Sequence, residues 1–266
     1  MPAVFINGVE LHYEDTGGTG FPVVFSHGLL WSGRMFDAQV AHLRSSFRCI
    51  AYDHRGQGRS ASSPKPYDMD QLTDDAGALM AHLGIGSCHF VGLSMGGFVG
   101  LRLALRRPEL LRSLTLVESA ADAEPRINIP KYKAMALFST FFGYKLLLPS
   151  VLKIMFGKSF LTDPARAALR HAQEEQLLTL KPPRVALALS AVTGRGAVED
   201  QLGRITTPTQ VIHGSDDAAI IPARARSTAS AIPGARWVEI PRAGHTSTVE
   251  EPDAVNAALS AFFASI

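Results

Sequence analysis

The strongest chemical signal in the chain is the run Gly92-Leu93-Ser94-Met95-Gly96-Gly97. Glycines two positions before and after a serine allow a turn too sharp for side chains there, with the hydroxyl standing clear of the backbone. If a helix starts just after the serine, its dipole favours an anion developing nearby. Phe90-Val91 before the motif reads as a strand and the residues after it follow a helical period, which is the context G-x-S-x-G requires. A hydroxyl is a poor nucleophile at neutral pH, so Ser94 needs a base to take its proton. Among 9 histidines, His245 in Ala243-Gly244-His245-Thr246-Ser247 lies just past the apolar run Trp237–Ile240 and before a final helical segment. An imidazole in that role needs a carboxylate to fix its tautomer. Gly214-Ser215-Asp216-Asp217 follows the apolar run Thr209–His213 directly and offers two. The chemistry these residue types can do is acyl transfer: Ser94 as nucleophile, His245 as base, and an aspartate as the acid that orients it. The bland alternative is a tight glycine-rich turn with a structural role alone.

Such residues work only if the elements carrying them end at one place. Short β-branched runs alternate with helix-period segments, which predicts a parallel sheet covered by helices. The expected strands are Val4–Ile6, Glu10–Glu14, Pro22–Ser26, Arg48–Asp53, Cys88–Leu93, Ser113–Val117, Thr209–His213 and Trp237–Ile240, with Asn7-Gly8 turning the first two into a hairpin. The expected helices are Met35–Ser46, Met69–Leu83, Met95–Arg106, a segment from Ala223 to Ile232, and a last one opened by Pro252 at a first helical position. Loops leaving the strand ends then bring Ser94, the aspartates and His245 to the carboxyl edge of the sheet.

From Ala121 to Thr206 strand-like runs give way to helical ones. Asp163-Pro164 reads as an N-cap followed by proline, opening a helix through Leu180. Ala134–Phe156 is unusually apolar, with Met135, Phe138, Phe141, Phe142, Leu146–Leu148, Met155 and Phe156. The prediction is a core built from residues 1–120 and 207–266, and a helical cap, 121–206, over the carboxyl edge, one face of which lines an apolar pocket. No internal repeat or low-complexity segment stands out.

Composition narrows the classes. The chain has 266 residues, 46% apolar and 19% charged, with a formal net charge of +2, an ordinary globular balance. Its charges of both signs are interspersed, without the basic stripe a phosphate backbone needs, so nucleic acid is not expected as a partner. Cys49 and Cys88 sit in strand-like runs and are expected to be reduced and buried. Met1 to Tyr13 lacks the basic and long apolar regions of a signal peptide. Ala134–Tyr144, bounded by Lys133 and Lys145, is shorter than the about 20 residues a bilayer demands. A cytoplasmic enzyme without membrane contact is the expectation. His27, His54 and His213 flank motifs without forming a metal-ligand set, and Gly56-x-Gly58 opens no dinucleotide fingerprint, so neither metal nor cofactor is expected.

Over nearly its whole length the chain resembles the α/β-hydrolase superfamily, and within it 3-oxoadipate enol-lactonase-like hydrolases and related small carboxylesterases and lactonases. The resemblance rests on His27-Gly28-Leu29-Leu30, Asp53-His54-Arg55-Gly56-Gln57-Gly58-Arg59-Ser60, Gly92–Gly97, Gly214–Asp217 with Pro222, and Gly244-His245. It implies an α/β-hydrolase fold, a mostly parallel eight-stranded sheet flanked by helices with a helical cap. It also selects Asp217, three residues after the glycine, as the acid, and leaves Asp216 to bond the loop. It places the two oxyanion N–H donors on Leu29 and Met95 and makes Asp53–Ser60 a structural turn. Serine rather than aspartate at position 94 speaks against haloalkane dehalogenases and epoxide hydrolases. C–C bond hydrolases, cofactor-free perhydrolases and slow-turnover small-molecule receptors of the same fold stay open. Trp31, Phe138 and Phe142 are the expected substrate-binding residues. The apolar cap implies an uncharged acyl group, so the expected partner is a small-molecule ester or lactone, with N-acyl homoserine lactones and enol-lactones among the targets. A lactone bearing a carboxylate would call for a cation such as Arg34, Lys131 or Lys133. Monomer and homodimer are both compatible with the sequence.

Overall fold

The computed structural model describes residues 2–266. Its first two strands, β1 (Ala3–Ile6) and β2 (Val9–Asp15), pair antiparallel with Ile6 opposite Val9. The turn between them places Asn7 and Gly8 at φ 48° and 81°. Positive φ at both central residues is the primed turn whose twist matches a hairpin.

Six further strands follow: β3 (Phe21–Ser26), β4 (Phe47–Tyr52), β5 (Cys88–Leu93), β6 (Leu111–Val117), β7 (Thr209–Gly214) and β8 (Arg236–Ile240). The eight form one sheet in the order β1-β2-β4-β3-β5-β6-β7-β8. From β4 to β8 every neighbouring pair is parallel. The interior strands β5 and β7 are buried along their whole length, as strands covered on both faces must be.

Period-two alternation sorts their side chains between two cores. Val24, Phe90 and Val211 join the cluster under α2 (Met69–His82), α3 (Met95–Arg106) and α9 (Pro222–Ala231). Phe25, Val91 and Ile212 join the cluster under α1 (Asp37–Leu43) and α11 (Pro252–Phe263). Cys49 and Cys88 are buried free thiols. No helix among the described residues is long and apolar enough to cross a membrane.

Between β6 and β7 the chain makes only helices: α4 (Asn128–Phe142), α5 (Leu148–Met155), α6 (Lys158–Thr162), α7 (Ala167–Leu178) and α8 (Pro182–Thr193). Asp163 accepts a hydrogen bond from Ala165 N at 2.9 Å. The residues after it, Pro164–Arg166, form a 3-10 turn, and α7 starts at Ala167. The apolar stretch 134–156 is two helices rather than one, parted at Gly143, which lies at φ 68°. One short helix, α10 (Ser247–Glu250), was not foreseen; it directly follows the His245 loop.

Candidate active site

Ser94 leaves β5 at φ 50° and ψ −109°, a conformation costly to a residue with a side chain. The surroundings hold it there. Ser94 N donates to Val117 O at 2.8 Å, and Ser94 O accepts from Phe98 N at 3.0 Å and Ser119 Oγ at 3.1 Å. The flanking glycines are dictated by crowding: a Cβ on Gly92 would lie 2.3 Å from Gly96 O, and one on Gly96 only 1.9 Å from Ser26 O. α3 starts at the next residue, Met95, whose N–H falls among the first four that no helix can satisfy internally.

His245 and Asp217 come from the loops after β8 and β7. His245 Nδ1 donates to Asp217 Oδ2 at 2.8 Å, and both side chains are buried. Asp217 Oδ1 accepts from the N–H groups of Ala219 (2.8 Å) and Ile220 (3.0 Å), so the carboxylate is fixed on both oxygens. With its proton on Nδ1, the imidazole presents a bare Nε2. His213 also approaches Asp217, at 3.4 Å, but its Nε2 donates to Ile220 O at 2.8 Å, and burial lowers its pKa. Asp216 is exposed; its N–H bonds Ala243 O at 2.9 Å and so ties the two loops together.

Two buried carboxyls that sequence reading passed over support these loops. Glu118, the residue after β6, accepts Gly214 N at 3.0 Å, and burial, then the charge of Asp217, pushes its pKa well above the ordinary range. Glu250 accepts from Gly157 N (2.8 Å), Gly244 N (3.0 Å), Thr246 N (3.2 Å) and Thr246 Oγ1 (3.0 Å), joining the His245 loop to the helical insertion. Position at a strand end could have signalled Glu118. Nothing local marks Glu250, whose partners are set by chain segments 93 residues apart.

The expected oxyanion donors are Leu29 N–H and Met95 N–H, and neither meets an acceptor among the described residues. The Leu29 loop is clamped from several sides. His27 Nδ1 donates to Gly28 O at 2.7 Å and its Nε2 accepts from His54 N at 2.9 Å. Leu30, at φ 76°, donates its N–H to Gln57 Oε1 at 2.9 Å. Gln57 Nε2 in turn lies 3.7 Å from Met95 Sδ, so one side chain touches both segments expected to carry the oxyanion donors. Asp53 Oδ1 accepts Gly33 N at 2.7 Å. The Asp53–Ser60 turn is thus the brace of the Leu29 loop.

Ser94 and His245 line one cavity of about 130 Å³, whose other walls are mostly apolar, among them Leu29, Phe98, Met135 and Val151. The expected pocket aromatics do not line it. Phe138 and Phe142, in the last turns of α4, are 37% and 61% exposed, with ring centroids 4.6 Å apart. Tyr132, Met135 and Ala136, one to two turns earlier in α4, line the cavity instead. Trp31 is buried, its Nε1 donating to Gln173 at 3.2 Å, and borders a second, more polar cleft of about 640 Å³. The two cavities share Leu30 and Val185. Arg34, Lys131 and Lys133 are all exposed. The charged residues that line the Ser94 cavity are Glu124 and Arg195, from irregular segments whose direction no periodicity reveals. Among the described residues no group of three or more His, Cys, Asp or Glu could hold a metal ion.

Residues 22–252 match the family model described as the alpha/beta hydrolase fold. RutD of Pseudomonas syringae pv. syringae, named provisionally as a carbamate hydrolase, is 32% identical over 90% of this chain and 92% of its own length. A thermophilic esterase from Thermogutta terrifontis superposes with a TM-score of 0.91 at 28% identity, covering 99% of this chain and 98% of that one. The enol-lactonase of Burkholderia xenovorans LB400 superposes with a TM-score of 0.90 at 32% identity, over 99% of this chain and 100% of its own.

Proposed function

The chain belongs to the α/β-hydrolase fold family, and from that premise we propose that it hydrolyses small carboxylic esters or lactones through an acyl-enzyme on Ser94. The observation that carries the reading is the His245–Asp217 hydrogen bond of 2.8 Å, on an imidazole that shares a small apolar cavity with a serine held at a strained turn. In the proposed mechanism His245 Nε2 takes the hydroxyl proton as Ser94 Oγ attacks the carbonyl carbon. Charge gathers on the former carbonyl oxygen, where Leu29 and Met95 supply N–H donors. Collapse of the tetrahedral adduct breaks the bond to the leaving oxygen, which takes the proton from His245. Water, deprotonated by the same imidazole, then attacks the acyl-enzyme and releases the acid. In a lactone the leaving alcohol stays tethered to the acyl group.

Cavity size bears on the acyl part. A dry cavity of ~150 Å³ holds a benzene-sized group, so about 130 Å³ favours a short acyl chain or a small ring over a long tail. Ester, enol-lactone and carbamate cleavage, the activities that the similar proteins' names state, each break an acyl–heteroatom bond and so support acyl transfer.

The test is kcat/KM on a γ-lactone and on an open ester of matched acyl length, with Ser94→Ala as the blank. Loss of a nucleophile of this type costs on the order of 10⁶ in rate. A folded Ser94→Ala with near-normal activity overturns the mechanism. Turnover of neither substrate, with Ser94 still labelled by a phosphonate, moves the assignment to C–C bond hydrolysis or ligand reception.

A further inference from the structure

The helical insertion gathers most of the exposed apolar surface. Of the eleven exposed large apolar side chains among the described residues, six fall between Ile127 and Leu146, on α4 and the residues flanking it. That concentration makes a patch, where an ordinary surface scatters such residues singly. Leu137 and Phe141, 63% and 74% exposed, follow each other at i and i+4 on one stripe of α4. The Phe142 ring joins Phe141 to Phe138, with centroids 6.5 Å and 4.6 Å away.

Charge around the patch has one sign. From residue 125 to residue 162 the chain holds Arg126, Lys131, Lys133, Lys145, Lys153 and Lys158 and no aspartate or glutamate. All six cations are exposed. The acids bounding the stretch are already engaged, Glu124 with Arg195 at 3.1 Å and Asp163 with Arg166 at 3.5 Å. α8, which packs against α4, contributes no acid either. Lys133 precedes Leu137 by four residues on the same stripe, and Lys145 adjoins Leu146, so cations edge the apolar residues.

These two features together select the partner. A second copy docking through the same patch would set lysines against lysines, because a two-fold interface is self-complementary. Lysine is also depleted from interfaces between proteins. An anionic bilayer suits both features: apolar side chains enter the boundary of headgroups and acyl chains, while lysines reach lipid phosphates and carboxylates. The sequence-based expectation of no membrane contact rested on the length of a spanning segment. A helix that lies in the interface needs no such length.

We propose that the cap docks on anionic membrane surfaces through α4 and the turn after it, with Leu137, Phe141 and Phe142 in the interface and Lys131, Lys133 and Lys145 at the headgroups. This docking is independent of the chemistry at Ser94. It sets the Ser94 cavity, which α4 lines through Tyr132, Met135 and Ala136, beside the layer in which apolar esters dissolve.

The experiment is flotation of the whole chain with vesicles of phosphatidylcholine alone or mixed with phosphatidylserine, at low and high salt. Partitioning should be about tenfold or more stronger with phosphatidylserine present and should fall as salt rises. Leu137→Ser/Phe141→Ser and Lys133→Glu/Lys145→Glu should each weaken it about tenfold or more. Phe5→Ser, which removes an equally exposed ring on β1, should leave it unchanged. The Tm of each variant, measured alongside, separates lost binding from lost fold. Binding to neither vesicle, equal binding to both, or variants that bind as the parent does overturns the proposal. So does a dimer on a sizing column that Leu137→Ser/Phe141→Ser dissolves, or capture by poly-glutamate without vesicle binding, since the patch would then serve a second copy or an acidic protein.

Discussion

A side chain that touches two segments of a candidate active site at once can matter without touching substrate, and Gln57 is placed to do so. Its carbonyl oxygen holds Leu30 N–H while its amide lies against Met95 Sδ, so it spaces the two expected oxyanion donors. Gln57→Leu keeps much of the volume but leaves Leu30 N–H without its acceptor. Because the donors must meet an oxygen whose charge peaks in the transition state, kcat is expected to fall about ten- to a hundredfold with KM little changed. Steady-state kinetics on the preferred ester check this; a change confined to KM would place Gln57 in ground-state binding. Of the residues that make the candidate site, Ser94 was legible because glycine spacing is a local steric code. Asp217 was chosen over Asp216 by resemblance, and only geometry supplies the reason, because the first is buried against His245 and the second faces solvent.

Elements place those residues through close approach. α3 can begin at Met95 and still lie against β3 only because Gly96 has no Cβ where Ser26 O sits. Gly96→Ala puts a methyl 1.9 Å from that backbone oxygen, which no side-chain rotation relieves. Overpacking of a tight core costs roughly 1–3 kcal/mol or more, so a Tm loss of about 5 °C or greater is expected, together with loss of activity. Thermal unfolding and an ester assay on the purified variant decide it, and a normal Tm would show that α3 can shift. The sheet was readable for a similar local reason, since alternating β-branched runs declare a period of two. In α4 exposed Leu137, Phe138 and Phe141 alternate with the cavity-lining Met135 and Ala136, and Phe142 repeats the position of Met135 two turns on, so no period marks an inner face. That is why the sequence pattern could not tell which α4 side chains reach the cavity.

On the scale of the whole molecule, burial of ionisable groups shapes the response to pH. His12, His27, His54, His89 and His213 all have lowered pKa values, with burial the largest cause, and His89 falls to about 4. Below the ordinary value of 6.5 the unfolded chain takes up protons that these native histidines refuse, so stability is lost as pH falls from there towards 4. Glu118 and Glu250, raised chiefly by burial, act in the opposite sense: they hold protons that the unfolded chain has released, so stability drops as pH rises from 4.5. The five histidines act against Glu118, Glu250 and Asp37, which burial also raises, and Tm is expected to fall by roughly 5 °C or more between about pH 7 and pH 5. Glu118→Gln removes part of the opposing slope and should steepen that fall. Thermal unfolding across the pH series tests both statements, and a Tm constant over that range would contradict them.

By itself the sequence determined what local sterics and period dictate: the elbow around Ser94, the strand and helix alternation, the order of Ser94, the Asp216-Asp217 pair and His245, and the change to helices after β6. Tertiary structure alone decided what depends on approach between distant segments. It put Glu250 under the His245 loop, set Gln57 between the Leu29 and Met95 segments, left Phe138 and Phe142 exposed, and brought Glu124 and Arg195 into the cavity wall. The reason is physical. A backbone conformation is set by neighbours along the chain, whereas the burial and pairing of a charged or aromatic side chain are set by whatever the fold packs against it.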